Sequence, residues 1–329
     1  AVFTSEGLGI VIRHNDAKSL FMMRWQQQQH VAETGIYDYY KDCIVINDEK
    51  LTEIISFNDL IQVVDIGANP IDGEPPYRPL MNLGLCFVIG FEPQASALAN
   101  LMSKKGDMEN YLPYAIGDGK NHTLNICRAS GMTSFFEPDQ KTYESFEMFK
   151  SLGQVIEKID IDTVRLDDVN DIKRIDFLKI DIQGGELSVF QNGRTKLKDA
   201  VFVQTEVSFV NLYKNQPSFS DIDQELRSIG YIPHCFAAIK KWPISPAVIN
   251  GNPYQGVNQL LEADIVYVKD FTRDESISDD QLKRIILISH YCYGSFDLAL
   301  RCILLLERRG VIPEGSQARY INSLHARTQ

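Results

Sequence analysis

From residue 61 onward, short apolar runs alternate with longer amphipathic stretches. The runs fall at 61–66, 86–91, 111–116, 176–182 and 201–207 and consist almost continuously of Val, Ile, Leu and Phe. Strands of that kind are covered on both faces, as in a parallel sheet; a sheet with one wet face would alternate apolar and polar residues. Between the runs, "ASALANLMSKKG" and "ELSVFQNGRTKL" space their apolar residues as amphipathic helices do. The pattern predicts an α/β fold over residues 61–270, a doubly wound and mostly parallel sheet.

Two insertions interrupt that rhythm. Residues 121–170 carry "HTLNICRASGMTSFFEPD" and "VIEKIDIDTVRLDDV", which read as short strands around a long loop. "YIPHCFAAIK" and "ADIVYVKD" predict two closing antiparallel strands, joined by the Pro-, Gly- and Asn-rich stretch 242–262. A loop that long inside a compact domain usually serves function. Residues 271–329 read as a helical hairpin. Ser278 to Gln281 form a capping-box signature, and a second helix after Ser295 places Leu298, Cys302, Leu305 and Leu306 on one face before Gly310. Residues 1–60 read as an N-terminal extension, helical around "DAKSLFMMRWQQQQHVAE" and strand-like at 43–45.

Composition narrows the class of partner. A net charge of −11 disfavours a broad nucleic-acid or anionic-membrane footprint, and the isolated doublets Lys104-Lys105, Lys240-Lys241 and Arg308-Arg309 read as solvated surface. The six cysteines are dispersed without a C-x-x-C pair, so no disulfide framework is expected and a reducing cytoplasm fits. The histidines do not fall at metal-ligand spacing, and no metal is expected. No apolar run reaches the ~18 residues of a membrane span. The chain opens on Ala1 rather than Met, as expected of a processed chain or a piece of a longer one.

In open parallel sheets, ligands sit outside the carboxyl ends of the strands. There the five runs place, in order, Asp65 with Gly67-Ala68-Asn69, Glu92 with Pro93, Gly117-Asp118, Asp181, and Glu206. Gly67 lets the backbone pass close to a ligand, and Glu92 is placed to accept hydrogen bonds from a ribose diol. The G-x-G-x-x-G loop that sets a helix N-terminus against a pyrophosphate is missing. "NPIDGEPP" would also make such a turn awkward, which favours S-adenosylmethionine over NAD. The Pro-rich detour is expected to shape the pocket mouth, with Asp72, Glu74, Tyr77 and Arg78 near it, and to delay the first helix to about Pro79. By two-residue alternation Lys179, Asp181 and Gln183 share a face, as do Gln204 and Glu206. The structural reading is an ion-pair network of Lys179, Asp181 and Glu206; the functional reading is a catalytic carboxylate. Glu186 reads as a complement to its helix dipole.

"VVDIGAN", "GFEPQ", "YLPYAIGDG", "TVRLDDV", "DFLKIDIQGGELSVFQNG" and "VQTEVSF" follow one another in this order over residues 60–210. The ordered set resembles the FkbM-type family of S-adenosylmethionine-dependent methyltransferases. The resemblance implies a class I Rossmann-like fold that methylates a hydroxyl on a sugar or other natural product. It implies that Asp65, Gly67, Ala68 and Asn69 lie beside the methionine part of the cofactor, Glu92 on the ribose and Asp118 on the adenine amine. Asp181 then stands at the cofactor's amino-acid end or the reaction centre. Two positions depart from the family: its next glycine is displaced to Gly73, and Gln183 stands where the family often has Glu.

Methyl transfer from a sulfonium is an in-line displacement, and a hydroxyl acceptor must also lose a proton to a positioned base. Asp181 is the first candidate, Glu206 the second and His234 the third. The acceptor walls are expected at 130–134, with Thr133 and Ser134, and at 242–261, with Trp242, Tyr254, Asn258 and Gln259. Magnesium assistance would require Asp181 and Glu206 to converge with Asp167 or Asp168. The competing classes are a non-catalytic cofactor-binding module, using the terminal helices to dock a second copy or a longer chain, and an NAD-dependent oxidoreductase.

Overall fold

The structure is a computed structural model that describes residues 48–69, 73–146 and 149–325. The helix and strand expected before residue 46, and Asp72, lie outside the described residues. In chain order the strands are β1 (Ile61–Ile66), β2 (Cys86–Phe91), β3 (Glu109–Leu112), β4 (Ala115–Gly117), β5 (Asn121–Cys127), β6 (Val155–Arg165), β7 (Phe177–Ile180), β8 (Phe202–Ser208), β9 (Tyr231–Lys241) and β10 (Leu260–Lys269). The first helices are α1 (Asp48–Ile55), α2 (Arg78–Asn82), α3 (Ala95–Lys104), α4 (Gln140–Glu144), α5 (Phe149–Leu152), α6 (Glu186–Gln191), α7 (Arg194–Leu197) and α8 (Phe219–Ser228). α9 (Asp279–Tyr293), α10 (Phe296–Arg308) and α11 (Ser316–His325) follow.

Seven strands form one sheet in the order β3-β2-β1-β7-β8-β10-β9. Neighbours from β3 to β8 are parallel, and β10 runs antiparallel to both β8 and β9. This is a class I Rossmann-like sheet. The run at 111–116 is not one strand: proline cannot donate to a ladder, so β3 ends before Pro113 and the chain crosses to a second sheet. That sheet has the order β4-β6-β5. "ELSVFQNGRTKL" likewise divides at Asn192-Gly193 into α6 and α7, and the Asn192 amide turns back to the Ser188 carbonyl at 2.9 Å. α2 starts at Arg78 with Pro79 in its first turn. Ser278 and Gln281 form the capping box of α9, and α10 buries Leu298, Cys302, Leu305 and Leu306. α11 had no clear sequence signal; its buried Tyr320 hydroxyl lies 2.9 Å from His290 Nδ1.

Alternation along the strands makes two cores. Val63, Phe177, Phe202 and Val266 pack on one face with Ile285 and Ile286 of α9. Val64, Ile66, Leu178 and Ile180 pack on the other with Val189 and Phe190 of α6 and Leu226 of α8. One step toward the carboxyl ends, the first face turns polar. Asp65 follows Val63, Lys179 follows Phe177 and Gln204 follows Phe202, and these three are in register across β1, β7 and β8. Asp264 precedes Val266 on the antiparallel β10 and pairs in register with Glu206.

Candidate active site

Over that polar row opens a cavity of about 250 Å³, lined by Asp65, Lys179, Gln204 and Asp264. Gly67, Ala68 and Asn69 line it from the loop after β1, and Gly73, Glu74, Tyr77 and Arg78 from the Pro-rich detour. Glu92 and Pro93 line it after β2, Asp181 and Gln183 after β7, and Thr133 and Phe135 from the β5–β6 insertion. Most of the sequence-named residues of β1, β2 and β7 therefore meet in one place.

The charges are tightly arranged. Asp65 is buried; Tyr77 donates to its Oδ2 at 2.6 Å, and Lys179 Nζ lies 3.3 Å from its Oδ1. Burial pushes the Asp65 carboxyl up, against the pull of Lys179 and Tyr77. Burial also works to lower Lys179, but Asp65 and Asp181 outweigh it and hold the ammonium above its ordinary value. Glu92 is raised by burial, while the Gln94 N–H donates to its Oε1 at 2.7 Å. The ion pair of Lys179 is thus with Asp65, where the sequence suggested Asp181 and Glu206.

Gln183 joins those two carboxylates instead. Its Nε2 donates to Asp181 Oδ1 at 2.9 Å and to Glu206 Oε1 at 3.1 Å. Glu206 does not line the cavity; it is buried behind Gln183 and pairs with Lys240 at 3.0 Å. Burial, then Glu262 and Asp181, push its carboxyl well above the ordinary range, against the pull of Lys240. Lys240, expected as solvated surface, is about a third exposed (34%) and its ammonium is paired with buried Glu206. Glu186 is more than a dipole complement: it is buried, accepts the Ile182 N–H at 2.9 Å, and burial raises it to about 7.

Other sequence-named positions fall elsewhere. Gly117 ends β4 in the smaller sheet, in register with Arg165, and a Cβ there would meet the Thr163 side chain at 3.0 Å. Asp118 follows it outside the cavity, with His122 Nε2 2.7 Å and Lys120 Nζ 3.2 Å away. Burial works against ionisation of Asp118, but the bonds from His122 and Lys120 hold it down to about 2. Ser134 is buried and donates to the Gln183 carbonyl at 2.6 Å, so it supports the wall without lining it. Trp242 packs on Phe149 at 4.5 Å and on Tyr254 at 5.6 Å, away from the cavity. His234 lies 2.7 Å from Ser295, among the helices of the apolar face. Asp167 accepts N–H bonds from Thr195 and Lys196 in α7, and Asp168 pairs with Arg165. Sequence reasoning missed Asp264 and Lys240; the signal for Asp264 was its place one step beyond Val266 on the same face.

The sequence profile described as "Methyltransferase FkbM domain" matches residues 65–233, just over half of the 329-residue chain. No curated protein matches the chain. Among solved structures, precorrin-6y C5,15-methyltransferase from Geobacter metallireducens GS-15 is similar at 12% identity and a TM-score of 0.34, covering 70% of this chain and 92% of its own. Magnesium protoporphyrin IX methyltransferase from Synechocystis PCC 6803, solved with bound SAM, is 9% identical with a TM-score of 0.35, covering 80% and 87%. A TehB-like SAM-dependent methyltransferase from Corynebacterium glutamicum is 9% identical with a TM-score of 0.31, covering 78% and 100%. The cofactor is S-adenosyl-L-methionine, and the cavity suits it. Carboxylates line it beside β1, β2 and β7 for a cationic, hydroxyl-bearing ligand, and the first helix after β1 among the described residues begins at Arg78. With this match over more than half of its length, the chain belongs to the FkbM-domain methyltransferases.

Proposed function

We propose that the protein transfers a methyl group to a hydroxyl oxygen of a small-molecule or glycan acceptor, with Asp181 as the general base. The observation that carries this reading is a carboxylate held in the cavity by a neutral donor: Gln183 binds Asp181 Oδ1 at 2.9 Å. An amine acceptor can attack once it has shed its ammonium proton, whereas a neutral hydroxyl profits from a base as the bond forms. When bound, S-adenosyl-L-methionine supplies an electrophilic methyl on a sulfonium. In this reading Glu92 holds the ribose hydroxyls, and Asp65, Gly67, Ala68 and Asn69 border the methionine part. Thr133 and Phe135 wall the acceptor side. Glu206 supports Asp181 through Gln183. Asp118 is left out of the adenine site because His122 and Lys120 occupy its carboxylate.

The test is methyl transfer from labelled S-adenosylmethionine across a panel of sugars and hydroxylated natural products, with Asp181→Asn alongside. The reading expects label on oxygen with the wild type and a loss of about 100-fold or more in the variant. Label on carbon or nitrogen, or full activity of Asp181→Asn, would overturn it.

A further inference from the structure

β9 and β10 do not pair evenly. Leu260 faces Lys241 and Glu262 faces Lys240, so the register skips Leu261. A bulge of this sort re-aims the side chains beside it. Here Lys240 reaches across β10: its ammonium is 3.8 Å from Glu262 and 3.0 Å from Glu206 on β8, the strand beyond.

From Glu206 the contacts continue to the cavity. The Gln183 amide nitrogen serves Glu206 and Asp181, while its oxygen lies 3.3 Å from the Tyr213 hydroxyl, which also reaches the Met132 carbonyl at 3.0 Å. Turned over, the amide would set its oxygen against two carboxylates, so its orientation is fixed. The Gln183 backbone is left-handed, with φ 56°, and its carbonyl is held by Ser134. A non-glycine residue persists in this sparsely populated conformation only where its surroundings hold it.

We propose that Lys240 is a positioning residue for methyl transfer, acting on Asp181 through Glu206 and the Gln183 amide. This rests on the reading of Asp181 as the group at the transfer point. Asp181 and Glu206 also feel Glu262, Asp264 and Lys179. Without Lys240, Glu206 loses the cation that holds its Oε2 and its hold on the Gln183 amide loosens. Asp181 then loses the partner that aims it.

The test needs no acceptor. Calorimetry compares S-adenosylhomocysteine with sinefungin, which carries an amine in place of the transferable methyl and so reports a fixed carboxylate at that point. The wild type is expected to prefer sinefungin. Lys240→Met is expected to keep its S-adenosylhomocysteine affinity within about twofold and to lose roughly fivefold of the sinefungin preference, the scale of one charge-assisted hydrogen bond, with Lys240→Arg restoring it. Should Lys240→Met fail to fold, Lys240→Gln keeps a hydrogen bond without the charge and is expected to lose part of the preference. An unchanged preference in the folded variant, or an equal loss for both ligands, overturns the proposal. Asp181→Asn separates the two failures. If it too keeps the preference, the reading of Asp181 is wrong; if it alone loses it, only the role of Lys240 falls.

Discussion

Lys179 Nζ stands 3.3 Å from Asp65 Oδ1 and donates to the Gly67 carbonyl at 3.1 Å, so one partly buried ammonium ties β7 to the loop after β1. Lys179→Met leaves the buried Asp65 with Tyr77 as its remaining side-chain donor. Breaking a buried pair from one side typically costs about 3–5 kcal/mol. Urea unfolding should show a loss of that order, together with at least tenfold weaker S-adenosylhomocysteine binding. A change below about 1 kcal/mol would mean that the pair is as weak as a surface one.

Gly67 has φ 79°, and a Cβ there would meet the Asp181 carbonyl oxygen at 2.1 Å. Gly67→Leu cannot keep both the turn and the end of β7 in place, so S-adenosylhomocysteine binding should fall below detection. Glu74 also lines the cavity, but its side chain is 62% exposed and its partner is Arg78. Glu74→Ala should change affinity by no more than about twofold, as for other exposed ion pairs. The opposite ranking in calorimetry would place the cofactor outside this cavity.

Glu186 makes stability depend on pH. Its folded value of about 7 exceeds the ordinary 4.5, so it binds its proton more firmly folded than unfolded. Its contribution is complete below the ordinary value and is lost as the pH rises through about 7. A shift of this size corresponds to roughly 3 kcal/mol across that window. Unfolding free energies at pH 5 and pH 8 should therefore differ less in Glu186→Gln than in the wild type. Identical slopes in the two proteins would show that another group governs this range.

Trp242 should separate stability from binding. It is clamped between Phe149 and Tyr254, outside the cavity. Trp242→Ala should cost roughly 2–3 kcal/mol in thermal or urea unfolding, somewhat below a fully buried aromatic. S-adenosylhomocysteine affinity should stay unchanged. A tenfold loss of affinity in a folded variant would join the 242–259 loop to the site.

β1 and β2 begin and end where the apolar runs do, because both lie inside the sheet with each face covered. The cavity was legible for the same reason: Asp65 near the end of β1, and Glu92 and Asp181 just after β2 and β7, are polar positions at the carboxyl ends of buried strands. Asp118 follows an apolar run too, but Pro113 had already sent that run into another sheet. A composition pattern does not say which sheet a strand joins. Lys240 was hidden more deeply, since its direction depends on a slip in pairing with Glu262, and register is a property of two strands rather than one. Trp242 and Tyr254 looked like acceptor contacts by residue type, yet their partners are each other and Phe149.

The smaller sheet is an excursion from the main one that shares its core through Ile116 and Leu166. β4, β5 and β6 pair only among themselves, between the chain's departure at Leu112 and its return at Phe177. This excursion is stitched back by backbone bonds from Asp139 to Leu212 and from Lys214 to Glu137, and by Ser134 on Gln183. Its exposed positions can change without re-registering the seven strands, provided those stitches and the core contacts of Ile116 and Leu166 survive. Under the proposed reading, changes in this excursion would alter the wall at Thr133 and Phe135 while Asp65 and Lys179 keep their places on the sheet.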